Sequence, residues 1–237
     1  MILLLLTMCL PPKLHDLPEQ GEQADHLLVL VHGAGDGPED WPTEWKEELP
    51  DCMAEPERWD IWTYDWSEDA KRKSSAAGRA YKHGISLGDQ ISEDYDYAYV
   101  HLVGHSAGAF VVQGAIEQLI GPTVHATFLD PYGWKGLLAT GWGRKHFGAE
   151  ADFADNYFNS EDGVPSTDRA GEQTFNIDLS ALAPDDLKAK DGHYFPLEWY
   201  RDSLEDPEAE FGFVLGAEVT GETTFPEELE RGEVVEP

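Results

Sequence analysis

Two cysteines, Cys9 and Cys52, are all the chain contains. No disulfide framework holds the fold, so its stability must come from a buried core. Basic residues are scarce as well: 16 Lys and Arg stand against 47 Asp and Glu, a formal charge of −31. Nucleic acid and anionic membrane surfaces repel such a chain, which excludes both as partners. The apolar start, Ile2 to Leu10, meets Pro11-Pro12 and falls short of the roughly 20 residues a spanning helix needs. No Lys or Arg precedes it and no small-x-small cleavage site follows. It reads equally as a signal-like core, as a lipoprotein-like Leu6-Thr7-Met8-Cys9 segment, or as a buried first strand, and localisation stays open.

At 237 residues with 41% hydrophobic side chains, one domain with a sizeable core is expected. The composition divides the chain into an apolar segment and connector (1–25), a folded unit (26–215) and an acidic C-terminal tail (216–237). Glu218 to Pro237 is acidic and poor in apolar residues, which points to a solvated tail.

The most informative stretch is Gly104-His105-Ser106-Ala107-Gly108. The run before it, Tyr97 to Val103, is short, β-branched and aromatic, as a buried strand is. The run after it, Ala107 to Ile120, has apolar residues at helical spacing and stops at Gly121-Pro122. Gly-x-Ser-x-Gly between a strand and a helix makes a nucleophile elbow, with the serine hydroxyl raised above the sheet. Glycines flank it because a Cβ there meets the neighbouring strand and helix.

Upstream, His26 to Val31 is a continuous apolar run suited to a central parallel strand. It ends in His32-Gly33-Ala34-Gly35-Asp36-Gly37, a loop whose backbone N–H groups can face an oxyanion. A short helix is predicted over Pro42–Leu49, a strand over Trp59–Trp66 and a crossover helix over Ala70–Ile91, with Gly84 and Gly88 as interruptions. Lys71-Arg72-Lys73 reads as a solvated face rather than an anion site. Thr123–Leu129 is the strand after the elbow, closed by Asp130-Pro131. Phe153–Phe158 and Thr174–Leu179 are two further strands, and Phe195–Leu204 is the last helix. This alternation predicts an α/β fold, a mostly parallel sheet with helices on both faces and reactive groups at the C-terminal strand ends. Between them, Tyr132–Glu150 mixes Trp134, Leu137, Leu138, Trp142 and Phe147 with glycines. It reads as a pocket wall or lid, or as a helix covering the sheet.

A serine nucleophile needs a base and an acid that orients the base. Of nine histidines, His101 lies inside a strand, His105 inside the elbow and His32 in the oxyanion loop. His193 follows the last predicted strand and gives the chain order Ser106, Asp130, His193. Asp155 competes for the acid, but it lies mid-strand, where alternation turns it to the sheet's flank.

Val31-His32-Gly33, Tyr64-Asp65-Trp66, Val103 to Ala109, Phe128 to Pro131, and His193-Tyr194 with Glu198-Trp199-Tyr200 together resemble the α/β-hydrolase superfamily, most closely its pancreatic lipase-like group. The disulfide-rich lid and C-terminal β-sandwich of that group are absent. The resemblance implies Ser106 as nucleophile, Asp130 as acid, His193 as base, and the backbone N–H groups of Ala34 and Ala107 as oxyanion donors. It implies no metal or organic cofactor. The expected activity is cleavage of a small-molecule ester or lipid through an acyl-enzyme. Thioesterase, amidase or acyltransferase chemistry on the same triad, or a non-catalytic binding role, are the alternatives.

Overall fold

His26–Val31 (β1) is buried at every position, because both faces of this strand are covered. Leu27, Val29 and Val31 enter one apolar layer, and Leu28 and Leu30 enter the other. The chain is seen here as a computed structural model, described for residues 17–136, 138–184, 191–206, 209–223, 225–226 and 228–237. The apolar segment 2–10 and Leu137 lie outside the described residues.

After β1 come α1 (Trp41–Glu48), β2 (Trp59–Tyr64), α2 (Ser67–Ala70), α3 (Ala76–Asp94), β3 (Tyr99–His105) and α4 (Ala109–Ile116). Next are β4 (Thr123–Leu129), α5 (Trp142–His146), β5 (Phe153–Phe158), β6 (Phe175–Asp178), α6 (Phe195–Asp202), α7 (Ala217–Thr220) and β7 (Val234–Val235). The seven strands form one sheet in the order β2-β1-β3-β4-β5-β6-β7, and every pair is parallel. Helices α3 and α4 cover one face, while α1, α6 and α7 cover the other. The chain steps from β1 out to β2, then crosses back to place β3 on the opposite side of β1. The crevice at such a reversal is where open α/β sheets bind ligands.

Gly84 and Gly88 do not interrupt α3. A Cβ on Gly84 would stand 2.0 Å from the Val111 carbonyl oxygen, and one on Gly88 would stand 2.3 Å from that of Ala115. Gly114 on α4 meets the Tyr81 carbonyl in the same way, at 2.3 Å. The glycines let the two helices touch backbone to backbone, and that gain exceeds the roughly 1 kcal/mol a helical glycine costs against alanine.

The start of the C-terminal stretch is not the solvated tail its composition suggests. Glu218 on α7 is fully buried, and β7 joins the sheet beside β6. Glu218 Oε1 accepts a hydrogen bond from His101 Nδ1 in the middle of β3. Thr127 donates to Asp155 Oδ1 at 2.5 Å, so its oxygen accepts from His101 Nε2 at 2.8 Å. His125 stacks on His101, with ring centroids 3.8 Å apart. This polar layer lies inside the α6–α7 face and draws one acid from a stretch whose composition signals only solvent.

Among the described residues no helix is long and apolar enough to cross a membrane. Raising NaCl from about 0.01 M to about 1 M shortens the screening length from about 30 Å to about 3 Å. With −31 formal charges, self-repulsion in the folded state falls accordingly. We expect the melting temperature to rise across that range; a flat or falling curve in calorimetry refutes it.

Candidate active site

The strand registers bring separate parts of the chain level at one edge. Val31 pairs with Gly104, and His105 pairs with Leu129, so Ser106 and Asp130 each follow the last residue of their strand. Ser106 has φ 53° and Asp130 φ 45°, a left-handed backbone that non-glycine residues rarely hold. Each costs on the order of 1–3 kcal/mol, which the surrounding structure must enforce. Gly104 and Gly108 permit the turn at Ser106. A Cβ on Gly108 would lie 2.6 Å from the Val31 carbonyl oxygen, and one on Gly104 would lie 2.7 Å from the Val112 side chain. At Asp130, the backbone N–H donates to the Tyr157 carbonyl at 2.8 Å and continues the ladder one residue past β4.

The glycine loop after β1 reaches the serine. A Cβ on Gly33 would stand 3.1 Å from Ser106 Cβ, so the loop passes beside the nucleophile one residue before Ala34. His32 fixes this loop. Its Nδ1–H donates to the Gly33 carbonyl at 3.0 Å, and its carbonyl accepts from Trp66 Nε1 at 2.9 Å. Burial lowers its pKa, in keeping with a neutral ring.

His193 lies in a single 3₁₀ turn, Asp191–His193, just before α6. Its Nδ1 is 2.5 Å from Asp130 Oδ2. The other Asp130 oxygen accepts from the backbone N–H of Asn159 at 2.9 Å. His105, beside the nucleophile, donates from Nε2 to the His193 carbonyl at 3.0 Å and ties the base's backbone to the elbow. Burial holds His105 down to about 3, so this ring is a neutral donor. At His193 burial acts in the same downward sense. The hydrogen bonds to carboxylates outweigh it and raise the pKa to about 9.

The sequence reading missed Asp162 and Asn159. Asp162 Oδ2 lies 3.1 Å from the same His193 Nδ1. Asn159 bonds Asp130 through its backbone and the Gly192 carbonyl through its amide, at 3.3 Å. Both sit in the turn after β5, where Asn159-Ser160-Glu161-Asp162-Gly163 is a turn signal at the reactive edge. Asp155, the competitor, faces the flank of the sheet, away from His193. It is fully buried and accepts from Thr127, from Tyr157 at 3.0 Å and from His125 at 3.2 Å.

The aromatic stretch after Asp130 is divided. Phe147 is core, packed on Phe110 and Phe128, and Trp142 stacks on Phe110. Lys135 Nζ sits 3.2 Å from the Tyr81 ring centroid and 3.6 Å from that of Trp142. Trp134 is half-buried and Leu138 is exposed. The covering-helix reading therefore describes Trp142 and Phe147. On the other side, a cavity of about 370 Å³ is lined by Asp36, Trp41, Trp45, Tyr194 and Leu197, among others. Tyr194, next to His193, donates to Asp36 at 3.2 Å. A Cβ on Gly33 would touch both Asp36 Oδ2, at 3.0 Å, and Ser106 Cβ, so Gly33 lies between the nucleophile and one wall residue of this cavity.

Asp130, Asp162 and His193 are also the one group of potential metal ligands among the described residues. Two ligands of a tetrahedral zinc, each about 2.0–2.1 Å from the ion, lie more than about 3 Å apart. The 2.5 Å contact between Nδ1 and Oδ2 has a hydrogen bond's length instead.

Residues 28–227 match a family model described as "Alpha/beta hydrolase family". No curated protein matches the chain. Among solved structures, one similar chain is a lipase-esterase related protein from Clostridium acetobutylicum ATCC 824, 16% identical, with a TM-score of 0.33. The match covers 48% of this chain and 45% of that one, so it spans less than half of either and carries no argument here. The family match covers most of the sequence, including the elbow, the strand-end acid and the late histidine, and on that ground the chain belongs to the α/β-hydrolase family.

Proposed function

We propose that the protein cleaves carboxylic esters through an acyl-enzyme on Ser106, with His193 as base and Asp130 as its orienting acid. The observation that carries this reading is the convergence of a strained serine at φ 53° and a buried His193–Asp130 hydrogen bond of 2.5 Å at one strand-end edge. Ser106 Oγ attacks the carbonyl carbon while its proton passes to His193 Nε2. Asp130 keeps the other ring nitrogen protonated, which fixes the tautomer and stabilises the imidazolium. The oxyanion falls to the backbone N–H groups of Ala34 and Ala107, whose donation costs no reorganisation during the step. The imidazolium then protonates the departing alcohol, and water attacks the acyl-serine by the reverse path. No step calls for a metal or an organic cofactor.

The acid after the strand that follows the nucleophile strand, in Leu129-Asp130-Pro131, supports a relation to the pancreatic lipase-like group. Short- to medium-chain esters are the proposed substrates; the cavity along Asp36 and Tyr194 mixes Trp41, Trp45 and Leu197 with carboxylates.

A fluorophosphonate probe should attach at Ser106 alone, as read by intact mass and peptide mapping. Turnover of p-nitrophenyl esters should peak on short soluble acyl chains. Labelling elsewhere, or undiminished labelling of Ser106→Ala, removes the nucleophile assignment. A jump in rate above substrate solubility replaces esterase by lipase.

A further inference from the structure

His193 Nδ1 carries one proton and meets two carboxylates, Asp130 Oδ2 at 2.5 Å and Asp162 Oδ2 at 3.1 Å. Both acid side chains are fully buried. They reach the ring from different elements: Asp130 ends β4, whereas Asp162 lies in the turn after β5. The ligand atoms of the three side chains all lie within 4.8 Å of one another.

Their surroundings divide the roles. Asp162 Oδ1 accepts from the Val164 backbone N–H at 2.7 Å and from Thr167 Oγ1 at 2.8 Å. Burial alone would raise its pKa, but the hydrogen bonds from His193, Asp130, Thr167 and Val164 bring it below the ordinary value. Asp130 is raised, first by burial and then by its acidic neighbour, against the pull of His193. The remaining titratable groups facing His193 are His105, held neutral, Tyr194, and Asp36 from the loop after β1.

We infer that Asp162 is a second positioning acid, paired with Asp130 so that the dyad of carboxyls holds His193 Nδ1 from two sides. This rests on the esterase reading for its catalytic meaning. It goes beyond a single-acid triad, because the negative charge beside the imidazole is retained when either acid alone is neutralised. His193 is therefore more basic than one acid would make it, and the acid limb of the rate profile lies towards alkaline pH. Its sign follows from the base: kcat/KM rises with pH as His193 loses its proton, up to about pH 9.

The test is an NMR titration of the His193 ring in the full chain, read beside the pH profile of kcat/KM on one soluble p-nitrophenyl ester. Asp162→Asn should lower the His193 pKa, and the acid limb with it, by about one unit or more. Asp130→Asn should leave His193 above the ordinary histidine value. It should also cost less than the roughly 10⁴-fold in turnover that loss of a sole orienting acid costs. The double variant should return His193 to the ordinary range and lose at least about a further tenfold over Asp130→Asn. An unchanged His193 titration in folded Asp162→Asn overturns the dyad, as does an ordinary value in Asp130→Asn alone. So does a raised pKa that disappears on dialysis against a chelator, which would put a metal among the three side chains. If one variant fails to fold, the other decides. The titration needs no substrate, so a shifted His193 without ester turnover sinks the esterase reading and keeps the dyad. Turnover with an unshifted ring does the reverse.

Discussion

On the proposed mechanism, alanine at Ser106 should lower kcat on a soluble ester by about 10⁶-fold, and alanine at His193 by a similar factor. The double variant is no worse than either, because nucleophile and base act as one unit and removing one already disables the other. What remains above the uncatalysed rate comes from binding and from the oxyanion donors. The backbone at Ser106 supplies an internal control. At φ 53° serine and alanine are equally strained, so Ser106→Ala should melt where the unsubstituted protein does. Glycine tolerates that conformation, and Ser106→Gly should gain about 0.4–1 kcal/mol of stability while losing the same turnover. Stopped assays and calorimetry on the three proteins check both halves. A Ser106→Ala protein with more than a hundredth of the original kcat ends the assignment.

Glu218→Ala is the substitution outside the site with the largest expected cost, about 3–5 kcal/mol. It removes the acceptor from His101 Nδ1 and leaves a fully buried imidazole without its counter-ion beneath the stacked ring of His125. For a chain of this length that loss lowers the melting temperature by on the order of 10 °C. Burial works against the charged form of Glu218, yet His101 keeps its pKa below the ordinary value. Its contribution is therefore present above the unfolded carboxylate range and is lost as pH falls through that range and below. Exposed Glu57 is the control, since alanine there should shift stability by less than about 0.5 kcal/mol. Equal melting curves for Glu218→Ala and Glu57→Ala would show that the buried pair contributes nothing.

The strands were legible because a parallel strand covered on both faces is a continuous apolar run. Phe153–Phe158 and Thr123–Leu129 are read with the bounds they have in the structure. Ser106, Asp130 and His193 are proposed as the triad because each follows a strand end or a fixed chain order, and the structure sets Asp130 against His193. Asp162 could not: among 47 acidic residues, one more aspartate in a turn carries no signal until β4 and β5 are set side by side. Glu218 failed to show for a similar reason. Its acidic surroundings predict water, and only the distant His101 makes burial affordable. Helix α3 was read as broken at Gly84 and Gly88 because the partner that needs those glycines is α4, remote in sequence.

That same contact determines which parts of the site can yield. With carbonyl oxygens of α4 lying where Cβ atoms on α3 would be, neither helix has room to slide, and Ser106 is clamped as if in a vice. Around Gly136 and Gly141, in the stretch after β4, a Cβ would meet nothing within 4 Å. Stiffness is thus distributed unevenly along the chain, with an anvil under the elbow and slack in the segment that follows β4.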